Sequence, residues 1–220
     1  MEKHEIENVV YPGYDTGNID GWLKKSEGET LYAISKLTAG PILEIGSWHG
    51  LSTSYIGRGV RDSRDNYPDK RFVATEMNPT KDNFRQIDDK HCGFFDPPDA
   101  DKPIVVSALC ALDKILPTIG KCMEILKKNM NDIEMTDYVE ILEGRFEDVA
   151  PKLQYSFIFC DITHSKKGID MRIPVIKTML AEEGVLACHD VPSRNLVDYL
   201  HRYIHPKTYF CVDNLYVGLF

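Results

Sequence analysis

Residues 44–53, E-I-G-S-W-H-G-L-S-T, decide the fold that we predict for this chain of 220 residues. They complete a short apolar run, residues 41–45, and open a helical pattern. Gly46 permits a tight turn and Gly50 permits a close approach between backbone and ligand, because glycine has no Cβ atom. Open α/β sheets bind their ligands where a strand turns into a helix in this way. The stretch therefore predicts an α/β fold with a binding site at this turn.

Four more apolar runs of about five residues follow along the chain, at residues 71–75, 138–142, 156–160 and 184–188. Near-continuous apolar runs of this length are typical of strands that are buried on both faces, as in a parallel sheet. Helical patterns lie around them, at residues 26–36, 117–130, 173–180 and 194–204. Because strands that alternate with helices imply crossover connections, we predict a doubly wound, mostly parallel sheet.

The C-terminus departs from this alternation. Residues 208–212 and 215–220 are two strand-like runs joined by Asp213-Asn214. Two turn residues between such runs are typical of a hairpin. We therefore expect the sheet to end in an antiparallel C-terminal hairpin.

The chain is divided into residues 1–39, an N-terminal arm and helix, and residues 40–220, a single domain. More than 60 residues separate the second and third strand-like runs, which is more than one helix needs. A structureless loop of that length is uncommon in a compact domain, so we interpret residues 80–116 as an insertion with a Pro-rich turn and one helix. The apolar stretch 104–116 could cover the ligand crevice or form a homodimer contact, and the sequence leaves both open.

The composition weighs against some partners. The net charge is −8 and the pI is about 5.4, which weighs against a nucleic-acid or anionic-membrane partner. No apolar run approaches the roughly 20 residues that span a bilayer. The first ten residues, M-E-K-H-E-I-E-N-V-V, lack the apolar core of a signal peptide, so we expect a cytoplasmic protein.

The turn does not match the common phosphate-binding motifs. In G-x-G-x-x-G, the second and third glycines would fall on Trp48 and Leu51, which disfavours a nicotinamide oxidoreductase. No G-K-[ST] occurs, so a P-loop is excluded. Ser52 and Thr53 lie near a helix N-terminus, which favours an anion.

Glu76 follows the second strand-like run by one position. A carboxylate there can accept hydrogen bonds from both hydroxyls of a ribose. Together with the glycine turn it predicts a nucleoside site, and the alternative is a solvated residue at a strand end.

Asp161 ends the fourth strand-like run, and His189-Asp190 end the fifth. Neighbouring parallel strands would bring these side chains to one edge of the sheet. Two carboxylates and an imidazole can hold a divalent cation, Mg²⁺ or Mn²⁺. In the alternative interpretation, Asp161 anchors nearby loops and His189 pairs with Asp190 without a metal.

Residues 44–53 resemble the first motif of class I S-adenosylmethionine (SAM)-dependent methyltransferases. The closest subgroup is the small O-methyltransferase-like one, with macrocin-type O-methyltransferases and cephalosporin-hydroxylase-like proteins. Residues 21–32, 161–170 and 184–190 are similar to further motifs of this subgroup. The resemblance implies a Rossmann-like, seven-stranded sheet and transfer of a methyl group from SAM to a hydroxyl of a small molecule, a sugar or a natural product.

The resemblance also implies a role for individual residues. Ser52 or Thr53 would meet the carboxylate of SAM, Glu76 its ribose, and Arg145 with Phe146 its adenine. The full set implied for SAM is Glu44, Gly46, Ser47, Gly50, Ser52, Thr53, Glu76, Met77, Arg145, Phe146 and Asp161.

His164 and Asp161 are the predicted catalytic residues. Catechol-type relatives carry a lysine base three positions after the aspartate, and His164 occupies that position here. Two competing hypotheses remain from other classes: a non-catalytic SAM-binding protein of the same fold, and the disfavoured nicotinamide oxidoreductase.

Overall fold

The computed structural model describes residues 1–108, 115–162, 165–191 and 193–220. Within these ranges there are seven α-helices: α1 Lys3–Glu7, α2 Lys25–Leu37, α3 Leu51–Asp62, α4 Cys122–Asp132, α5 Phe146–Val149, α6 Lys166–Met179 and α7 Arg194–Leu200. The same ranges hold ten strands: β1 Ile42–Ile45, β2 Phe72–Glu76, β3 Phe84–Gln86, β4 His91–Phe94, β5 Val105–Ala108, β6 Glu140–Glu143, β7 Tyr155–Cys160, β8 Leu180–Cys188, β9 Thr208–Val212 and β10 Leu215–Leu219.

Seven strands form the central sheet, in the order β6-β2-β1-β7-β8-β10-β9. The first five are parallel, whereas β10 runs antiparallel to both β8 and β9. This confirms the predicted doubly wound sheet with its antiparallel C-terminal hairpin. The chain proceeds outward from β1 to β2 and β6, then returns to β7 on the other side of β1. That reversal opens a crevice at the carboxyl ends of β1 and β7.

Helices cover both faces of the sheet because successive residues of a strand point to opposite faces. Ile42 and Phe157 belong to the apolar core beneath α2, α3 and α4. Leu43 and Ile158, the next residues of the same two strands, belong to the core beneath α6 and α7. All four side chains are fully buried, which places β1 and β7 at the centre of the molecule.

The N-terminal arm is held against α2 and α3 by tyrosines. The hydroxyls of Tyr14 and Tyr32 both donate to one carboxylate oxygen of Asp62, at 2.7 and 2.8 Å. Arg58 donates to the backbone carbonyl of Asp15. These contacts fix the arm where its far end, with Trp22, reaches the carboxyl edge of the sheet.

The region 80–116 contains the predicted Pro-rich turn, at residues 96–99, but also strands that we did not predict. Its described part contains a three-stranded antiparallel sheet, β3-β4-β5. Strand β5 occupies residues 105–108, where we expected the start of a helix, because β-branched valines at positions 105 and 106 favour pairing with β4. The rest of the expected helix falls largely on residues 109–114, outside the described residues.

Three helix boundaries also differ from the sequence pattern. Helix α4 begins at Cys122 instead of residue 117, after Gly120 with a left-handed φ of +76°. Helix α6 begins at Lys166 instead of residue 173, where the Ser165 hydroxyl accepts the Gly168 N–H as a cap. Helix α7 ends at Leu200 instead of residue 204. None of the helices in the described ranges has the length and apolar character needed to span a membrane.

Candidate active site

A cleft of about 290 Å³ lies at the carboxyl edge of the parallel strands. Phe84, Phe94 and Ile104 of the insertion form one wall, and Trp22 of the N-terminal arm stands at the mouth. Several residues predicted from the sequence line this cleft: Gly46, Glu76, Met77, Arg145, Phe146, Asp161, His189 and Asp190.

The first residue of the turn after β1 has a backbone conformation that favours glycine. Gly46 has a φ of +84°, and a Cβ atom on it would lie 2.9 Å from the Ile162 side chain. Gly50 has a φ of +96°, and a Cβ there would lie 2.7 Å from side-chain atoms of Leu126 and Met130. Gly46 therefore opens the cleft, whereas Gly50 serves the packing of α3 on α4.

Glu76 ends β2 with its carboxylate on the cleft wall and is 5% exposed. The backbone N–H of Trp48 donates to Oε2 at 2.7 Å, and that of Asn78 donates to Oε1 at 3.0 Å. Burial raises the pKa of Glu76, and these backbone hydrogen bonds oppose the rise. An ionised carboxylate has about four lone-pair sites, so Glu76 can accept a further hydrogen bond.

Glu44 is fully buried behind the cleft and does not line it. The hydroxyls of Ser47 and Thr53 donate to it at 3.0 and 2.6 Å, and the hydroxyl of Ser52 donates to its other oxygen. Burial raises the pKa of Glu44 to about 7, against the opposing effect of these hydrogen bonds. The hydroxyls predicted to meet a cofactor are thus engaged inside the protein.

A buried ion cluster joins the insertion to α5 and α6. Arg172 donates to Glu147 Oε1 and to Asp96 Oδ2, both at 2.7 Å, and Arg145 donates to Asp96 Oδ1 at 3.1 Å. Among the described residues, Glu147 Oε2 and Arg172 Nε are buried without a hydrogen-bond partner. Glu147 Oε2 faces Arg145 Nε only at 3.9 Å. Both residues line the cleft, but these two atoms are themselves buried.

Sequence reasoning missed this cluster. Glu147 follows Arg145 and Phe146 directly, so the sequence could have indicated it as the next residue of the same segment. Asp96 and Arg172 carry no such signal, because the fold of the insertion brings them together.

The end of the cleft under β7 and β8 holds Asp161, His189 and Asp190. Cys160 and Cys188 are paired in register, which places the following residues side by side. His189 Nδ1 lies 3.2 Å from Asp161 Oδ1 and 3.7 Å from Asp190 Oδ1. One ligand atom from each of the three residues falls within 4.8 Å of the others.

The charge on this cluster is set by three carboxylates around one imidazole. Burial alone would lower the pKa of His189. The hydrogen bond and charge of Asp161, with the charges of Asp190 and Glu27, outweigh burial and raise the pKa to about 9. His189 is thus a cation at neutral pH when no metal competes for it. The other predicted catalytic residue, His164, lies outside the described residues.

Comparison with known families identifies the domain. Residues 43–191 match the model of a family described as "Methyltransferase domain". A search of curated protein sequences finds no match.

Solved structures share the fold at low sequence identity. The O-methyltransferase NovP matches with a TM-score of 0.61 and 14% identity, over 88% of this chain and 79% of NovP. TomG from Streptomyces achromogenes is an O-methyltransferase involved in tomaymycin synthesis and was solved with SAM. It matches with a TM-score of 0.53 and 14% identity, over 90% of this chain and 81% of TomG. The Bacillus cereus O-methyltransferase, solved with SAH, matches with a TM-score of 0.51 and 15% identity, over 93% of this chain and 84% of the other.

The family match covers the first turn, the insertion and both strand ends that form the cleft. It confirms the methyltransferase domain that the sequence motifs predict. The chain belongs to the family of methyltransferase domains.

Proposed function

We propose that this protein is a SAM-dependent O-methyltransferase that acts on a hydroxyl of a small molecule. One observation carries the proposal: the Glu76 carboxylate and the cluster of Asp161, His189 and Asp190 open into the same cleft. The first suits the ribose of a nucleoside, and the second suits an oxygen that must be oriented and deprotonated. A methyltransferase domain that joins these two sites can hold both the methyl donor and a hydroxylated acceptor.

The residues of the cleft fit SAM. Ribose hydroxyls would donate to the Glu76 carboxylate. A Cβ atom on Gly46 would press on Ile162, which also lines the cleft. Adenine presents an amine donor beside a ring-nitrogen acceptor. Glu147 and Arg172 line the cleft and carry an acceptor and a donor of the complementary kind.

The donor set of Asp161, His189 and Asp190 fits a divalent cation, Mg²⁺ or Mn²⁺. Two carboxylate oxygens and one imidazole nitrogen within 4.8 Å are suitable ligands for such an ion. When bound, the cation lowers the pKa of an acceptor hydroxyl and orients it.

The reaction is an in-line displacement. The acceptor oxygen forms a bond to the methyl carbon while the carbon–sulfur bond breaks, and the electron pair stays on sulfur to give the neutral thioether SAH. The hydroxyl proton passes to a base, for which His164 stays our prediction. The aromatic and apolar walls from Trp22, Phe84 and Phe94 suit a sugar or natural product of modest size. A homodimer and a cytoplasmic location also stay predictions.

A methyl-transfer assay tests the proposal. The protein is incubated with SAM labelled in the methyl group and a panel of hydroxylated sugars and phenols, with and without exhaustive chelation. We expect label on an acceptor oxygen, a loss of transfer after chelation, and its return with Mg²⁺ or Mn²⁺.

Full activity after chelation would contradict the proposed role of a cation in the reaction. Binding of SAH without transfer to any hydroxyl would favour the non-catalytic SAM-binding protein instead. Failure to bind SAH would overturn the proposal as a whole.

A further inference from the structure

We propose that Glu27 of α2 is a positioning residue that orients His189 toward Asp161 and Asp190 for the cation site. This inference rests on the function proposed above. It assigns a role to a residue that neither the motifs nor the family match assigned.

The Glu27 carboxylate is fixed from three parts of the chain. It is fully buried. Its Oε2 accepts the Lys24 backbone N–H at 2.7 Å and lies 3.2 Å from His189 Nε2, and its Oε1 accepts the Asn214 backbone N–H at 2.7 Å. The start of α2, the end of β8 and the turn of the C-terminal hairpin therefore meet on one side chain.

This contact determines which nitrogen of His189 faces the cleft. An ionised carboxylate can only accept hydrogen bonds, so His189 Nε2 carries a proton and donates it to Glu27. The lone pair of the neutral imidazole is then on Nδ1, which lies 3.2 Å from Asp161 and 3.7 Å from Asp190. Glu27 thus presents Nδ1, as a potential ligand, to the two carboxylates.

The arrangement is the one that metal-binding histidines use. Their second N–H usually donates to a carboxylate or carbonyl, which fixes the ring and its tautomer, and loss of that partner costs 10- to 100-fold in metal affinity. Glu27 is separated from His189 by 162 positions in the sequence, so the pairing depends on the fold. Its place in the first turn of α2 further favours a negative charge, because it lies at the positive end of the helix dipole.

Mn²⁺ titration of the full chain tests the proposal. Bound Mn²⁺ is followed by electron paramagnetic resonance in the wild type, in Glu27→Gln and in Glu29→Gln. Glu29→Gln is the matched control, because it removes the same charge from α2. The Glu29 side chain pairs with Lys25 at the surface and does not contact His189. We expect Glu27→Gln to weaken Mn²⁺ binding by about 10-fold and Glu29→Gln to leave it unchanged. SAH affinity should be the same in all three proteins, which shows that each is folded.

A spectroscopic measurement on the wild type keeps the proposal testable even if Glu27→Gln does not fold. In ¹⁵N-histidine-labelled protein loaded with Mg²⁺, we expect His189 to show a proton on Nε2 and none on Nδ1. A proton on Nδ1, or equal Mn²⁺ affinity in Glu27→Gln and the wild type, would overturn the role of Glu27 alone. A wild type that binds SAH but no Mn²⁺ would overturn the cation site and this inference together.

Discussion

Glu44 and Glu76 are glutamates on neighbouring strands and on the same face of the sheet, but they lie at different distances from its carboxyl edge. In the pairing of β1 with β2, Glu44 stands opposite Ala74. Glu76 is two residues further along, about 7 Å closer to the carboxyl edge. That single step places Glu76 on the cleft wall and leaves Glu44 behind it.

The donors around the two carboxylates differ accordingly. Glu44 is enclosed by side-chain hydroxyls from the turn and the first turn of α3, so it fastens that helix to β1. Glu76 is held by backbone N–H groups and lines the cleft. The difference suggests that hydroxyl donors stabilise the scaffold here, whereas backbone donors position a carboxylate for a ligand.

The largest effect is expected for Glu76→Ala, which should weaken SAH binding by about 100-fold. Two hydrogen bonds from ribose hydroxyls to a charged acceptor are lost, each contributing roughly 1.5 kcal/mol, and 1.4 kcal/mol corresponds to a factor of ten. Isothermal titration calorimetry measures the change. Glu44→Gln is the control and should bind SAH nearly as tightly as the wild type. Equal losses in the two variants would remove the distinction between the two carboxylates.

The second prediction concerns pH and the stability contributed by Glu44. Its pKa is about 7 in the folded protein and 4.5 ordinarily, so between these values the folded state keeps a proton that the unfolded chain has released. The contribution is fully present below pH 4.5 and is lost as the pH rises through about 7. The loss amounts to roughly 3–4 kcal/mol of unfolding free energy.

Urea denaturation at a series of pH values measures this contribution. Glu44→Gln should lack that part of the pH dependence. The same slope in Glu44→Gln and in the wild type would show that Glu44 is ionised in the folded state throughout.

The smallest effect is expected for Ser52→Ala. It removes one buried hydrogen bond to Glu44 and should lower the unfolding free energy by about 1 kcal/mol. SAH affinity should not change, because the hydroxyl faces Glu44 and not the cleft. A tenfold loss of SAH affinity would instead support the direct contact with the cofactor that the sequence motif implies.

Much of the sheet could be predicted from the sequence because its strands are short apolar runs buried on both faces. The ends of those runs also predicted which residues would gather at one edge: Glu76, Asp161, His189 and Asp190 all line the cleft. Strand ends are readable because parallel strands meet at a common edge.

The distance of each side chain from that edge was not predictable, because it depends on the register between β1 and β2. Glu44, Ser52 and Thr53 therefore fit the motif but lie behind the cleft. The insertion was not predictable either, since its three short strands pair with one another across loops. Glu27 lies within residues 21–32, which resemble a family motif, but its contact with His189 was not predictable because the fold brings the two together.

We propose that this cleft binds SAM through the Glu76 carboxylate. A crystal structure of the protein with SAH tests it most directly. We predict both ribose hydroxyls in hydrogen-bond contact with Glu76, adenine against Glu147 and Arg172, and Glu44 still enclosed by its three hydroxyls. A complex in which the ribose lies away from Glu76, or crystals at saturating SAH with no ligand in the cleft, would rule out this binding mode.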